Sequence, residues 1–319
     1  MSEVRWGILG AAKFAREFMG PALTLSPGGH VAALATSDPI KAAPFRIFAP
    51  GLRVHDSYEA LLADPEIDAV YIPLPNALHV AWSLQAMQAG KHVLCEKPMA
   101  MQVADFERLI AARDAAGVLA AEAFMIVHHP QWLRARQLLA DGAVGELWRI
   151  DGAFSFNNRD AGNIRNQAAM GGGGLRDIGV YVMGGARFAT GLEASDVRAR
   201  IQWNDGVDVY AAITAKFGEA DYVNFTSIRM HARQEMTFHG DRGVLRLPVP
   251  FNPRVFGEAR LELQRGTETI TERWPTANHY ELQAAAFNRA VLEGGDYACP
   301  LEFSRGTQVM IDAAFASAA

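Results

Sequence analysis

The chain has 319 residues, of which 50% are hydrophobic and 20% are charged, and this profile is typical of a globular protein with two domains. The formal net charge of −5 argues against nucleic acid or an anionic membrane surface as the main partner. The two cysteines stand outside any metal-ligand pattern, and there is neither a signal peptide nor a membrane-length apolar run, so we expect a soluble cytoplasmic protein without a metal.

The first 120 residues alternate short apolar runs with helical patterns. This rhythm predicts βαβ units and therefore an α/β fold with a doubly wound parallel sheet. We assign residues 1–122 to a dinucleotide-binding Rossmann domain. The predicted strands cover residues 4–9, 30–36, 69–74, 92–95 and 119–125.

The second half has longer extended stretches, several of which alternate apolar and polar residues. Such alternation is typical of an antiparallel sheet with one covered face. We therefore predict an α+β domain over residues 123–319, with a large, mostly antiparallel, open-faced sheet. Its predicted strands are 147–156, 197–203, 209–217, 222–230, 234–239, 244–247 and 260–263, and its predicted helices are 131–140, 280–292 and 304–319.

A loop of small residues follows the first strand and opens a helix. Compared with the dinucleotide fingerprint G-x-G-x-x-G/A, Gly10 matches, Ala12 replaces the second glycine and Ala15 fills the third place. Small residues allow backbone N–H groups to approach a pyrophosphate, although a plain strand–helix turn is the alternative. The predicted cofactor contacts in this loop are Gly10, Ala11, Ala12, Lys13 and Phe14.

In such a site, the residues at the end of the second strand normally decide between NAD, with its ribose 2′-hydroxyl, and NADP, with its 2′-phosphate. Thr36 and Ser37 supply two hydroxyls and Lys41 supplies a cation, a set that can accept the 2′-phosphate of NADP. Asp38 could instead bond a ribose hydroxyl of NAD, and Lys41 could be an ordinary helix residue. The segment predicts NAD(P), with a slight preference for NADP.

Glu96-Lys97-Pro98 ends the fourth predicted strand, at the sheet edge where open α/β folds bind ligands. Together with Gly-Ile-Leu-Gly10, the segment 71–79, the segment 122–131 and the run Gly171 to Tyr181, it resembles the glucose–fructose oxidoreductase / inositol dehydrogenase (Gfo/Idh/MocA) family. The segments 250–253 and 300–302 resemble the branch with dimeric dihydrodiol dehydrogenase, D-xylose 1-dehydrogenase and D-apiose dehydrogenase.

The resemblance implies that Lys97 and Tyr181 form a proton-transfer pair, with Asp177 one helical turn before Tyr181. Deprotonating an ordinary tyrosine, with a pKa of about 10, costs about 4 kcal/mol at pH 7, and a nearby ammonium reduces that cost. Tyrosine would then take the proton of a substrate hydroxyl while hydride leaves for nicotinamide. The alternative is that Tyr181 simply packs in a core helix.

The resemblance also implies roles for residues elsewhere in the chain. His79 could equally be a first-turn helix residue, and the asparagines could be turn residues. The predicted additional cofactor contacts are Pro73, Leu74, Asn76, His79, Glu96, Lys97 and Arg165, and the predicted substrate contacts are His129, Asn157, Asn158, Asp177 and Tyr181.

Three functions remain open at this stage. The first is oxidation of an aldose, such as xylose or apiose, at C1 to the lactone. The second, in the same family, is a cyclitol or polyol dehydrogenase or a reductase of a dicarbonyl sugar. The third is a non-catalytic cofactor-binding regulator, which the presence of Lys97, Asp177 and Tyr181 argues against. We also expect a homodimer or homotetramer formed through the C-terminal sheet, because a one-faced sheet needs covering.

Overall fold

The structure is a computed structural model that describes residues 2–318, so Met1 and Ala319, the outer ends of the two predicted domains, lie outside the described residues. Packing divides the chain into two compact units. The first contains the described residues up to Met125 together with His279–Ser304. The second contains Ile126–Asn278 and the described residues from Arg305 onwards.

The return of His279–Ser304 to the first unit differs from the prediction that residues 123–319 form one domain. Helix α7 (His279–Glu293) packs against the first strand, whose Trp6 is fully buried. The Trp6 indole N–H donates to Asn288 Oδ1 at 2.9 Å, and its ring lies 5.0 Å from that of Phe287. A buried indole needs both an apolar neighbour and an acceptor for its N–H, and α7 provides both.

The first unit is built on a six-stranded parallel sheet with the order β3-β2-β1-β4-β5-β6, and the predicted doubly wound sheet is confirmed. The short strand β3 was not predicted, because none of its three residues belongs to an apolar run. The order reverses between β1 and β4, which is where such folds bind ligands. The strands are β1 (Val4–Leu9), β2 (Gly29–Ala35), β3 (Arg53–His55), β4 (Ala69–Ile72), β5 (His92–Cys95) and β6 (Ala120–Glu122).

Local signals set the helix ends in this unit. The Ser57 hydroxyl accepts the N–H of Ala60 at 3.1 Å and caps α2, while Gly117, with φ +63°, ends α4. A π-helical turn, Ala15–Met19, runs directly into α1. The helices are α1 (Gly20–Leu25), α2 (Tyr58–Leu62), α3 (Asn76–Gln88), α4 (Val103–Ala116) and α7, with a 3₁₀ helix at Pro39–Ile47.

The second unit is built on an eight-stranded sheet with the order β14-β13-β12-β11-β7-β10-β9-β8. Only the β7–β10 pair is parallel among its described ladders, and the predicted mostly antiparallel sheet is confirmed. Strand β14 was not predicted. The strands are β7 (Leu147–Asn157), β8 (Ala194–Asn204), β9 (Val207–Phe217), β10 (Ala220–Ser227), β11 (Arg229–Gly240), β12 (Val244–Leu247), β13 (Ala259–Arg265) and β14 (Glu268–Trp274).

Helices cover one face of this sheet. Gly152 on β7 allows α6 to approach, because a Cβ there would overlap Val182. The helices are α5 (Pro130–Ala140), α6 (Val180–Thr190), which continues a π-helical turn at Leu175–Gly179, and α8 (Leu301–Ser317). Within residues 2–318, no helix combines the length and the apolar character needed to cross a membrane.

Candidate active site

The turn between β1 and the first helix is made at Gly10, which has φ +96° and donates its N–H to the carbonyl of Ala35 at 3.0 Å. A positive φ of this size favours glycine. Helix geometry begins at Lys13, directly after the half-buried Ala11 and Ala12. The small side chains therefore leave the N-terminus of the helix approachable, as a pyrophosphate requires.

Phe14 and Lys13, the next two predicted cofactor contacts, have partners of their own in the first unit. The Phe14 ring lies 5.2 Å from Phe18 and 5.5 Å from Tyr280. Lys13 is largely exposed and its ammonium lies 3.9 Å from the carboxylate of Glu17. The Phe14 ring is thus packed among aromatic side chains, whereas the lysine side chain is directed along its own helix.

In the turn after β2, the Asp38 carboxylate interacts with residues that follow it directly in the chain. Asp38 Oδ1 accepts the N–H of Ile40 at 3.0 Å, which caps the following 3₁₀ helix, and Oδ2 lies 3.9 Å from the Lys41 ammonium. The Thr36 hydroxyl accepts the backbone N–H of Asp38 at 3.2 Å. Ser37, between them, is exposed. A carboxylate used as a helix cap is not directed at a ribose, so the NAD alternative loses its main support.

The loop after β4 contains the predicted contacts Pro73 and Leu74, and it leads into α3, whose first residue is Asn76 and whose first turn contains His79. The His79 ring is 1% exposed, with Nδ1 2.8 Å from the carbonyl oxygen of Pro98 and Nε2 2.7 Å from that of Leu74. Both ring nitrogens therefore lie against backbone carbonyl oxygens, while the cofactor contact of His79 stays a prediction. Its ring instead joins the loop after β4 to the loop after β5.

Glu96 and Lys97 follow β5 at the carboxyl edge of the parallel sheet and are half-buried. Glu96 Oε1 accepts the hydroxyl of Tyr71 at 2.7 Å, and Oε2 accepts the backbone N–H of Lys97 at 3.3 Å. Burial, reinforced by the negative Glu96, raises the pKa of Tyr71 well above its usual value, so the phenol stays a donor. The Glu96 carboxylate is thus held in place beside the backbone of Lys97.

Glu122, at the end of β6, holds the chain just after Lys97. Its buried carboxylate accepts the backbone N–H of Met99 at 2.8 Å, and burial raises its pKa. The sequence analysis included Glu122 in the family-like segment 122–131 but gave it no role of its own. A carboxylate ending a buried strand was the available signal, because a buried acid needs donors of its own.

Asp177 and Tyr181 belong to the second unit, on the continuous helix formed by the turn Leu175–Gly179 and α6. The Arg165 guanidinium donates from Nε to Asp177 Oδ2 at 2.5 Å. The Tyr181 ring is 7% exposed and lies 5.8 Å from Phe154 and 5.7 Å from Phe251. The helix therefore presents a fixed acid and a closely packed phenol one turn apart. The Arg165–Asp177 pair was not predicted.

The three remaining predicted substrate contacts differ in their surroundings. His129 is 1% exposed, its Nδ1 accepts the N–H of Gln131 at 3.1 Å as the cap of α5, and burial lowers its pKa to about 4. The substrate contact of His129 stays a prediction. Asn157 is exposed at the end of β7, while Asn158 Oδ1 accepts the N–H of Asp160 at 3.0 Å within a turn.

Both units of this chain contain segments that are similar in sequence to known proteins. Residues 4–124 match the family model described as Oxidoreductase family, NAD-binding Rossmann fold, and residues 132–246 match the GFO/IDH/MocA C-terminal domain. An uncharacterised oxidoreductase of Rhizobium meliloti is 38% identical over 98% of this chain and 96% of its own length. The chain belongs to the Gfo/Idh/MocA family. The predicted membership and fold class are confirmed, and the chain is an NAD(P)-dependent oxidoreductase of this family.

Two further relatives of this Gfo/Idh/MocA protein are named for their activities. The D-xylose 1-dehydrogenase (NADP(+)) 2 of Haloferax volcanii is 32% identical over 98% of this chain and 97% of that protein. The crystal structure of a 3-ketoreductase from Actinomadura kijaniata, in complex with NADP and TDP-benzene, superposes with a TM-score of 0.91. It is 30% identical and covers 99% of this chain and 98% of that chain.

Proposed function

We propose that this oxidoreductase oxidises a pentose aldose, such as xylose or apiose, at C1 to the lactone with NADP as acceptor. The observation that carries the proposal is that Lys97, Asp177 and Tyr181, the residues to which the family resemblance gives the acid–base roles, are all present, each at a defined position in its own unit. Lys97 lies at the carboxyl edge of the parallel sheet, and Tyr181 shares a helix with Asp177, which Arg165 holds. A similarity of 32% to a D-xylose 1-dehydrogenase over nearly the full length supports the choice of substrate.

The residues of the first unit fit a dinucleotide, because Gly10 makes a positive-φ turn directly before a helix N-terminus. Gly10, Ala11, Ala12, Thr36 and Ser37 would hold it, and a bound nicotinamide supplies the hydride acceptor. NADP is favoured because Asp38 Oδ1 serves as a helix cap, and the exposed Ser37 together with Lys41, whose ammonium lies 3.9 Å from Asp38 Oδ2, would meet a 2′-phosphate. The D-xylose relative is named for NADP(+), and the ketoreductase structure contains NADP.

The chain's own residues would handle the proton. The Tyr181 phenolate would take the proton from the anomeric hydroxyl while the C1 hydrogen departs as hydride, so that the C1–O single bond becomes the C1=O double bond of the lactone. The Lys97 ammonium stabilises the phenolate, and Asp177 together with Arg165 orients the substrate hydroxyls. Positioned acid–base catalysis of this kind typically contributes about 10² to 10⁴ in rate.

The purified enzyme should reduce NADP⁺ in the presence of xylose or apiose, and kcat/KM should be at least about 10-fold higher with NADP⁺ than with NAD⁺, or about 1.4 kcal/mol. The measurement is nicotinamide absorbance in a panel of pentoses, hexoses, cyclitols and dihydrodiols, each with both cofactors. Lactone formation is checked by trapping with hydroxylamine. Oxidation of cyclitols alone, or no turnover with any aldose, would contradict the proposal.

A second candidate is reduction of a keto-sugar, which the superposition with the 3-ketoreductase favours. The same proton-transfer set would then donate a proton to the carbonyl oxygen while hydride arrives at carbon. NADPH oxidation with a panel of keto-sugars, free and nucleotide-linked, separates the two candidates. A kcat/KM that is larger for a keto-sugar than for every aldose selects the reductase.

We also infer that a second copy of the chain covers the outer sheet face, defined by Arg200, Tyr210, Phe225 and Arg233. Tyr210 and Phe225 stack at 6.3 Å, and Arg200 and Arg233 lie over these rings at 5.6 and 5.5 Å. Opposite charges alternate beside them, as in the 2.9 Å Arg246–Glu235 pair. A patch that combines aromatic rings with both charge signs suits a self-complementary two-fold contact.

Light scattering should therefore report a dimer or a tetramer at micromolar concentration. Phe225→Glu should shift the mass toward the monomer, since it buries a charge against the partner's rings. Val255→Glu is the matched control, because Val255 is 67% exposed and lies between β12 and β13, a loop that contributes none of the residues defining this face. A monomeric wild-type protein would rule out the interface.

A further inference from the structure

A buried carboxylate lies at the start of the helix that carries Asp177 and Tyr181. Asp208, on β9, is 1% exposed, and its Oδ2 accepts the backbone N–H of Leu175 at 2.6 Å. The backbone N–H groups of Gly174 and of Asp208 itself also act on this carboxylate and lower its pKa. The first N–H groups of a helix have no partner within the helix, and here a side chain from a neighbouring strand supplies one.

The run of four glycines before this helix is shaped around the same carboxylate. Gly173 has φ +118°, and a Cβ on it would overlap Asp208 Oδ1. A Cβ on Gly172 would lie 2.6 Å from the carbonyl oxygen of Arg165, which accepts the Gly173 N–H at 3.0 Å. The glycine run therefore passes between Asp208 on one side and Arg165 on the other, without room for side chains.

The same contacts connect Asp208 with the Arg165–Asp177 pair. Asp208 holds the first turn of the helix, the glycine run leads from that turn back to the Arg165 backbone, and the Arg165 side chain returns to Asp177. These groups form a closed loop of contacts within the second unit. A shift of the first turn would therefore move the Asp177 carboxylate relative to its arginine.

Two opposing effects set the pKa of Asp208. Burial raises its pKa to about 7, while the backbone N–H donors and the positive Arg176 act in the opposite direction. Above this pKa the ionised form, which accepts the stronger hydrogen bonds, predominates. Assays at about pH 8 therefore examine the carboxylate as the helix cap.

We propose that Asp208 is a positioning residue for the catalytic helix: it sets where the helix begins and thereby fixes Asp177 and Tyr181 for reaction. The proposal rests on the proposed function, because it concerns the same proton-transfer set. Asp208 does not touch the reacting atoms and acts through Leu175, Gly174 and the glycine run. Misplacing a reacting group by about 1 Å can cost about 100-fold in rate.

The test compares Asp208→Ala, Asp208→Asn and the control Asp221→Asn at about pH 8. Asp221 is an exposed carboxylate on the adjacent strand β10. We expect kcat to fall about 100-fold in Asp208→Ala and about 10-fold in Asp208→Asn, which keeps one acceptor oxygen. Dinucleotide affinity, a property of the first unit, should stay within about 2-fold, and the control should match the wild type.

Hydrogen–deuterium exchange of the amides of residues 174–181 supplies a readout independent of turnover. Exchange should accelerate at least about 10-fold in Asp208→Ala and less in Asp208→Asn, because the cap bonds are lost. Unchanged exchange overturns the positioning role even if the wild type oxidises no sugar. Unchanged kcat in Asp208→Asn and Asp208→Ala beside an active wild type also overturns it. If Asp208→Ala does not fold, Asp208→Asn alone decides the matter.

Discussion

Replacement of Lys97 by alanine is expected to lower kcat by about 1,000-fold or more, with dinucleotide affinity changed by less than about 5-fold. In the proposed mechanism the ammonium supplies the charge that makes a phenolate accessible near neutral pH, and alanine removes that charge. Glu96, His79 and Glu122 hold the backbone on both sides of residue 97 through contacts that do not use the lysine side chain. The loop should therefore keep its conformation in the variant.

Steady-state kinetics and fluorescence titration with NADPH measure the two quantities separately. Lys216→Ala is the matched control, because Lys216 is an exposed lysine on β9 that pairs with Asp221. Lys97→Arg is a second comparison, since arginine keeps the charge but places it differently. Near-normal turnover in Lys97→Ala would remove Lys97 from the proposed proton-transfer set.

Replacement of Tyr181 by phenylalanine is expected to lower kcat by about 100-fold to 10,000-fold and to remove the transition that wild-type activity shows with rising pH. The phenylalanine ring can keep the packing against Phe154 and Phe251, so the free energy of unfolding should change by less than about 1 kcal/mol. Only the hydroxyl, the proposed proton acceptor, is lost.

The measurement is kcat against pH for the wild type, Tyr181→Phe and the control Tyr210→Phe, accompanied by thermal unfolding of each. Tyr210 is stacked on Phe225 on the outer sheet face and is outside the proposed proton-transfer set. An unaltered pH profile in Tyr181→Phe would assign the base to another group. A large loss of stability would instead favour the alternative that Tyr181 is a core residue.

Much of the fold could be predicted because its signals are local. Strands β1 and β5 were predicted with their observed bounds, since each is a short apolar run between turn residues. Gly10, with its positive φ, was recognisable as a turn glycine from its place after a strand. The two strands that were missed, β3 and β14, have no buried residues, so hydrophobic periodicity could not reveal them.

The candidate site was predictable to a smaller extent, as the two histidines illustrate. In the sequence, His79 and His129 stand beside motifs typical of cofactor and substrate contacts. In the structure, His79 lies against two backbone carbonyls and His129 caps a helix. A residue's neighbours along the chain do not reveal whether a buried polar group has already found its partner.

The sequence by itself determined the order of most strands and helices, with β3 and β14 missed, and the parallel first sheet, because periodicity is a property of neighbouring residues. Its short motifs carried the family resemblance, which in turn implied the candidate proton-transfer residues. Only the tertiary structure decided that His279–Ser304 return to the first unit, that Arg165 pairs with Asp177, and that Asp208 caps their helix. Buried polar groups must be satisfied by whichever partners folding brings near, and those partners here lie 12 to 282 residues away along the chain.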